Sequence, residues 1–255
     1  MKRQEITNNV AIALNAPLPR QTKTYTVIPH WTVLKVINGC MEKNKLTANN
    51  IIYTSTHTGN VLTGKYILDT ENSSDLKVSF GFTNSYDKTT RFCITSCAYI
   101  PETDMYMMFD KYTYKRKHTG TGDQDSYTNI GHIIEIAKDT LSNYEELRQK
   151  MTSINLSKVK FGQLLGELVV RNMLTISQMS LALKYSKYTN FGYDKYNLWE
   201  LFNHILKAAS FGQIKQIQEK NIALQMYLYA KYCNVIPMKE EDKPTSYETA
   251  KNLFD

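Results

Sequence analysis

The residues best suited to chemistry in this chain gather in one run, Lys111-Tyr112-Thr113-Tyr114-Lys115-Arg116-Lys117-His118, which holds four fixed positive charges and no acid. Read as a strand, it places Lys111, Thr113, Lys115 and Lys117 on one face and Tyr112, Tyr114 and Arg116 on the other. Cations hold phosphate oxygens and phenol rings give bases a stacking surface, so the run has the composition of a single-stranded nucleic-acid binder. The same residues also read as a solvated edge strand whose lysines block aggregation. A second cluster, Lys184-Tyr185-Ser186-Lys187-Tyr188, repeats the composition, with Lys195-Tyr196 beyond it. The expected nucleic-acid-binding residues are therefore Lys111, Tyr112, Tyr114, Lys115, Arg116, Lys117, His118, Lys184 and Lys187.

Other chemistries are less well supplied. Gly59-Asn60-Val61-Leu62-Thr63-Gly64-Lys65 has the spacing of a phosphate-binding loop as far as its lysine. Tyr66 then stands where a magnesium-binding hydroxyl is needed, and the following residues alternate as a strand, so no helix N-terminus aims its amides at a phosphate. The five histidines lie far apart. Cys93 and Cys97 face the same way on a strand without a further ligand at metal spacing, and read as ordinary half-buried thiols. His204 reads as a structural histidine. Asp104, Asp110, Asp123 and Asp125 cluster near the exit of the expected sheet, where a metal-dependent nuclease could draw on them; turn and cap chemistry accounts for them equally. There is no Gly-x-Ser-x-Gly elbow and no Cys/His pair that spacing can place. No catalytic residue, metal ligand or cofactor is assigned, and an enzyme is the weaker reading.

The elements that would position these residues follow from periodicity. Residues 76–83 put Leu76, Val78, Phe80 and Phe82 on one face and Lys77, Ser79, Gly81 and Thr83 on the other, as in a sheet with one wet side. Similar alternation marks residues 51–55, 62–68, 90–98 and 105–114. The turns between them are too short for parallel crossovers, which predicts an antiparallel meander of four to five strands. Trp31, Leu34, Ile37, Cys40 and Met41 recur at helical spacing and predict a helix near residues 31–43. Residues 1–24 read as an extended or disordered arm. Beyond a polar loop at residues 118–126 the chain is helical. Ile130, Ile133, Ile134, Ala137, Leu141, Tyr144 and Leu147 form one continuous stripe, with Asp125 or Ser126 as its cap. Ser157 and Ser177 begin two further helices, Asn197 caps another, and a last one covers about residues 212–232. The fold class is α+β: an antiparallel meander followed by a C-terminal helical region packed on one face. Residues 1–24 form the arm, 25–118 a helix plus the sheet, 119–236 the helices packed as one unit with the sheet, and 237–255 a charged tail.

With 255 residues, 42% of them hydrophobic, the chain can bury a full core without a metal or disulfide. Its four scattered cysteines read as reduced thiols. No signal peptide is written at the start, and no apolar run approaches the roughly 18 residues of a membrane span, so the expectation is a cytoplasmic protein without a membrane partner. A net charge of +7 and a pI near 9.0 permit a polyanionic partner.

The order of elements resembles a family of phage and plasmid-like proteins, domain of unknown function 932. The likeness is carried by Tyr25-Thr26-Val27-Ile28-Pro29-His30 leading to Val33-Leu34, by the strand and turn Phe82-Thr83-Asn84-Ser85-Tyr86-Asp87, and by Asn197-Leu198-Trp199-Glu200-Leu201-Phe202-Asn203. It covers most of residues 25–210. The resemblance implies a phage or mobile-element context in a bacterial host and brings no catalytic residues with it. The leading expectation is an accessory protein that binds nucleic acid, single-stranded by preference, with strand annealing by a homo-oligomer as its concrete form. The alternatives are a protein-interaction or host-defence-modulating module and, third, a metal-dependent nuclease.

Overall fold

The computed structural model describes residues 6–7, 10–69, 75–88, 90–188, 195–211 and 214–235. The segment expected as a charged tail lies outside them. A two-residue strand, β1 (Ile6–Thr7), opens a six-stranded sheet whose spatial order is the chain order. It pairs with β2 (Ala48–Thr56), followed by β3 (Val61–Leu68), β4 (Lys77–Ser85), β5 (Phe92–Ile100) and β6 (Met105–Arg116). Every pairing is antiparallel, so the expected meander is present.

Two rows of side chains cross the sheet. Tyr66, Phe80 and Ser96 stand abreast on β3, β4 and β5, as do Lys65, Gly81 and Thr95 on the opposite face. The Phe80 face carries the core. The other face is not wet: Ser79, Thr83 and Thr95 are buried as completely as the phenylalanines. Their hydroxyls are satisfied within the sheet, which is what permits burial. Ser79 Oγ donates to the Cys97 carbonyl at 3.0 Å, Thr54 and Thr63 pair at 2.6 Å, and Thr95 and Thr113 pair at 2.8 Å.

The described part of the N-terminal arm comprises the paired strand β1 and a short helix. Helix α1 (Val10–Leu14) buries Ala13 and lies against β2 and β3. Helix α2 (His30–Lys43) follows on the expected residues and buries Val33, Ile37 and Met41.

The single long helix expected after the sheet is two, α3 (Gly122–Glu135) and α4 (Leu141–Ser153). The break has a tertiary cause. Buried Thr140 joins Ser96 of β5 through its hydroxyl at 2.8 Å and donates to the Ala137 carbonyl, and Tyr144 donates to the Ser96 carbonyl at 2.9 Å. Neither Asp125 nor Ser126 caps α3: Asp125 pairs with Arg116, and Ser126 Oγ bonds back to the Gly122 carbonyl within the helix.

The remaining elements are β7 (Asn155–Ser157), α5 (Lys158–Val170), α6 (Ile176–Tyr188), β8 (Lys195–Asn197), α7 (Leu198–Ala209) and α8 (Ile214–Cys233). Strands β7 and β8 form a small antiparallel ribbon whose last residues, Ser157 and Asn197, cap α5 and α7 as expected. Thr175 rather than Ser177 caps α6, in a reciprocal pair with Gln178. One apolar core runs from Ile37 and Phe80 through Ile134 and Tyr144 to Phe202 and Tyr229.

Strand β6 is irregular. Its register with β5 passes from Thr95 opposite Thr113 to Cys97 opposite Met108, so residues 109–112 form a bulge. Phe109 turns onto Tyr229 and Tyr112 onto Tyr144, with centroid distances of 5.5 and 6.0 Å.

Candidate functional site

That bulge decides what the basic, aromatic run presents. Tyr112 is half-buried between Phe109 and Tyr144, with Lys111 Nζ over its ring at 4.7 Å. Tyr114 packs beside Phe92, and burial of its hydroxyl pushes its pKa up to about 12. Both rings are committed to packing, which corrects the expectation that they form a stacking platform. Two of the cations are also engaged: Lys115 pairs with Asp110 at 3.3 Å and Arg116 with Asp125 at 2.9 Å. Lys184 is exposed on α6, which packs on α5 and α7, and the side chain of Lys187 lies outside the described residues. Of the expected residues whose side chains are described, Lys111, Lys117 and Lys184 are the exposed ones. Lys117 remains exposed, and His118 is buried.

A different site forms where β6 ends. The segment before α2 crosses there, with the Thr26 backbone N–H donating to the His118 carbonyl at 2.9 Å and Thr26 Oγ1 to the Gly120 carbonyl at 2.6 Å. Tyr25 stacks on His118 with centroids 5.6 Å apart, and Lys88 Nζ sits 4.8 Å from the Tyr25 ring. The result is a cleft of about 380 Å³ bordered by Lys88, Arg91 and Lys117, with Thr22, Thr24 and Thr90 between them. All three cations are exposed and none forms an ion pair among the described residues.

The floor of the cleft is polar and under-used. His118 is 5% exposed, and neither ring nitrogen has a hydrogen bond of good geometry. Burial lowers its pKa, with the Thr26 backbone and Asp87 acting the other way, so the ring is neutral at neutral pH. The Tyr25 hydroxyl is likewise buried without a partner, and burial, with Asp87 and Tyr86 adding to it, raises its pKa to about 12. A recess with three exposed cations at its rim, none in an ion pair among the described residues, is suited to anions.

A buried cluster holds this floor in place. His30 Nε2 donates to the Gly59 carbonyl at 3.1 Å, while Nδ1 accepts from Asn84 Nδ2 at 2.9 Å. Asn84 Nδ2 also donates to the Ile28 carbonyl at 2.7 Å. The Tyr86 hydroxyl accepts from the His30 backbone at 2.7 Å, and the two rings stack at 3.9 Å. Ser85 Oγ donates to Asp87 at 2.6 Å. Residues 25–30 and 82–87 thus meet beside the cleft. On α7, Asn203 accepts from Thr103 at 3.0 Å.

Tyr25, Lys88 and Arg91 were not among the expected site residues. The available signal was a turn with two cations, Lys88 and Arg91, between β4 and β5, but no spacing rule joins that turn to Lys117. Among the described residues no three His, Cys, Asp or Glu side chains gather to hold a metal, and no helix is long and apolar enough to cross a membrane. A scan against protein-family models and searches of curated proteins and of solved structures found no match for this chain.

Proposed function

We propose that this protein binds nucleic acid, single strands in preference to duplex, by seating backbone phosphates in the cleft between Lys88, Arg91 and Lys117. The observation that carries this reading is the set of three exposed cations, none in an ion pair among the described residues, around a recess that Tyr25 and His118 line. Ammonium and guanidinium groups take phosphate oxygens, and the threonine hydroxyls add neutral donors. A recess of about 380 Å³ admits a phosphate and its sugar from a flexible strand. Contacts of this kind position a strand without reading its bases, so binding is independent of sequence. The setting we infer is the one the family resemblance implies: a phage or mobile-element accessory protein in a bacterial host, with annealing by several copies as its working form.

The test is titration of single- and double-stranded oligonucleotides at several salt concentrations. Affinity falls as salt rises, and Lys88→Ala/Arg91→Ala/Lys117→Ala lowers the log–log salt slope by about 2, since each single-strand phosphate contact contributes about 0.7. Lys115→Ala/Arg116→Ala has a smaller effect, because both charges are already paired. Binding that ignores salt, or survives the triple substitution, overturns the reading. In that case function moves to the protein-interaction alternative, for which Trp31, 54% exposed beside Leu14 and Leu34 at a groove of about 500 Å³, is the natural starting point.

A further inference from the structure

A second, smaller cavity, of about 70 Å³, opens on the hydroxyl-lined face of the sheet, where β3 to β6 meet α7 and α8. The register sets its shape. Lys65, Gly81 and Thr95 lie abreast, and because Gly81 has no side chain, the Lys65 stem crosses β4 and brings Nζ to 4.6 Å from the centroid of the Tyr106 ring on β6. Nζ makes no hydrogen bond or ion pair among the described residues. Lys65 is half-buried and has no paired carboxylate, so its ammonium is less well solvated than that of a surface lysine.

The groups around it divide into bystanders and participants. Cys97 is buried, shares a 3.1 Å contact with Ser79 Oγ, and has its thiol pKa pushed up to about 12, so it stays protonated. Asp104 stands exposed at the rim. Burial draws the Lys65 pKa down while Asp104 and Cys97 act against that shift, which leaves more free amine than a surface lysine has. Tyr106 is the second participant. Its hydroxyl is buried with no hydrogen-bond partner, and burial raises its pKa, so it remains a phenol able to donate.

We propose that this cavity is a carbonyl-capturing site, in which the Lys65 amine adds to the aldehyde or keto carbon of a small carbonyl compound while the Tyr106 hydroxyl donates a hydrogen bond to the carbonyl oxygen. The nitrogen lone pair forms the N–C bond and the C=O π pair moves onto oxygen. That oxygen then departs as water with the two amine hydrogens, leaving an imine; nothing is oxidised or reduced. The cavity has the liquid volume of about two waters, so it takes the carbonyl end of a ligand and leaves the remainder at the Asp104 rim. This site is separate from the phosphate cleft and does not depend on it.

The test uses the full chain with propionaldehyde and cyanoborohydride, which supplies hydride to the imine and fixes it as a secondary amine, followed by peptide mass mapping over time. Lys65 is expected to be the first lysine alkylated, ahead of the exposed Lys117 and Lys184. Tyr106→Phe removes only a hydroxyl that has no partner and leaves the ring under Lys65, so the fold is kept. It is expected to slow alkylation of Lys65 by roughly tenfold or more, the usual scale for losing a proton donor, with Lys117 unaffected. Alkylation of Lys65 no faster than that of Lys117, or an unchanged Lys65 rate in Tyr106→Phe, overturns the proposal.

Discussion

His30 can hold only one proton where it sits, and its partners fix which nitrogen bears it. Nε2–H faces the Gly59 carbonyl and Nδ1 faces the Asn84 amide, so a second proton would set donor against donor in a fully buried pocket. Burial accordingly lowers its pKa to about 4, with the Gly59 bond offsetting part of the shift. The unfolded value is near 6.5, and the folded value is lower, so the neutral ring's stabilisation is complete above pH 6.5 and is lost as pH falls toward 4. His118 and His204 are shifted the same way by burial. Between pH 7.5 and 5 the loss from His30 amounts to about 2 kcal/mol. Urea titrations at the two pH values should show it, and His30→Gln should be less stable at pH 7.5 but flatter with pH. An equally steep dependence in that variant would contradict the assignment.

Gly59 belongs to the same unit. Its φ is +71°, and an added Cβ would lie 2.4 Å from the Ile12 carbonyl oxygen, so Gly59→Ala is expected to cost about 1–3 kcal/mol, read from the denaturant midpoint. Little of this was legible from sequence. Gly59 was noticed within the run to Lys65 and His30 as part of a short motif, but pairing His30 with Asn84 requires knowing that two segments 54 residues apart are neighbours. Lys88 and Arg91 escaped notice for the same reason, whereas Tyr112 and Tyr114 drew it because alternation assigns a face without saying what covers that face.

Strand β6 keeps its bulge because α8 completes its hydrogen bonding. Gln225, fully buried, accepts from the Met108 backbone N–H at 2.7 Å and from the Tyr229 hydroxyl at 2.8 Å, and donates to the Tyr106 carbonyl at 3.0 Å. Gln225→Leu would strand the buried Met108 N–H and Tyr229 hydroxyl and the half-buried Tyr106 carbonyl, at a cost of roughly 3 kcal/mol or more. Hydrogen exchange provides the local readout: the Met108 amide should lose protection while Phe82, in the middle of β4, keeps its own. The strands themselves were readable because alternation and short turns are local properties, and the Ser157 and Asn197 caps were readable for the same reason. The bulge and the break between α3 and α4 were not. Apolar periodicity runs straight through residues 136–140, and only the bonds from Thr140 and Tyr144 to Ser96 show why the helix stops.

Across the whole molecule, charge and thiols are unevenly deployed. Several basic residues of the +7 chain are tied to acids, Arg148 to Asp75 and Lys231 to Glu167 among them, while the rim of the cleft is left unneutralised. None of the four cysteines is in a disulfide, and Cys40 alone is half-buried. A thiol reagent should therefore modify Cys40 first in the native protein and all four after denaturation, and reductant should leave the melting temperature unchanged. Early labelling of Cys97 would show that the sheet opens more readily than its burial implies.

The bonds from Thr26 to His118 and Gly120 bridge 94 residues in one case, and they set an order of events during synthesis. As the nascent chain leaves the ribosome, the stretch at residues 22–26 has no berth until the final sheet strand has cleared the exit tunnel. Translation must run past residue 120 before that early stretch can dock, so closure of the cleft comes late.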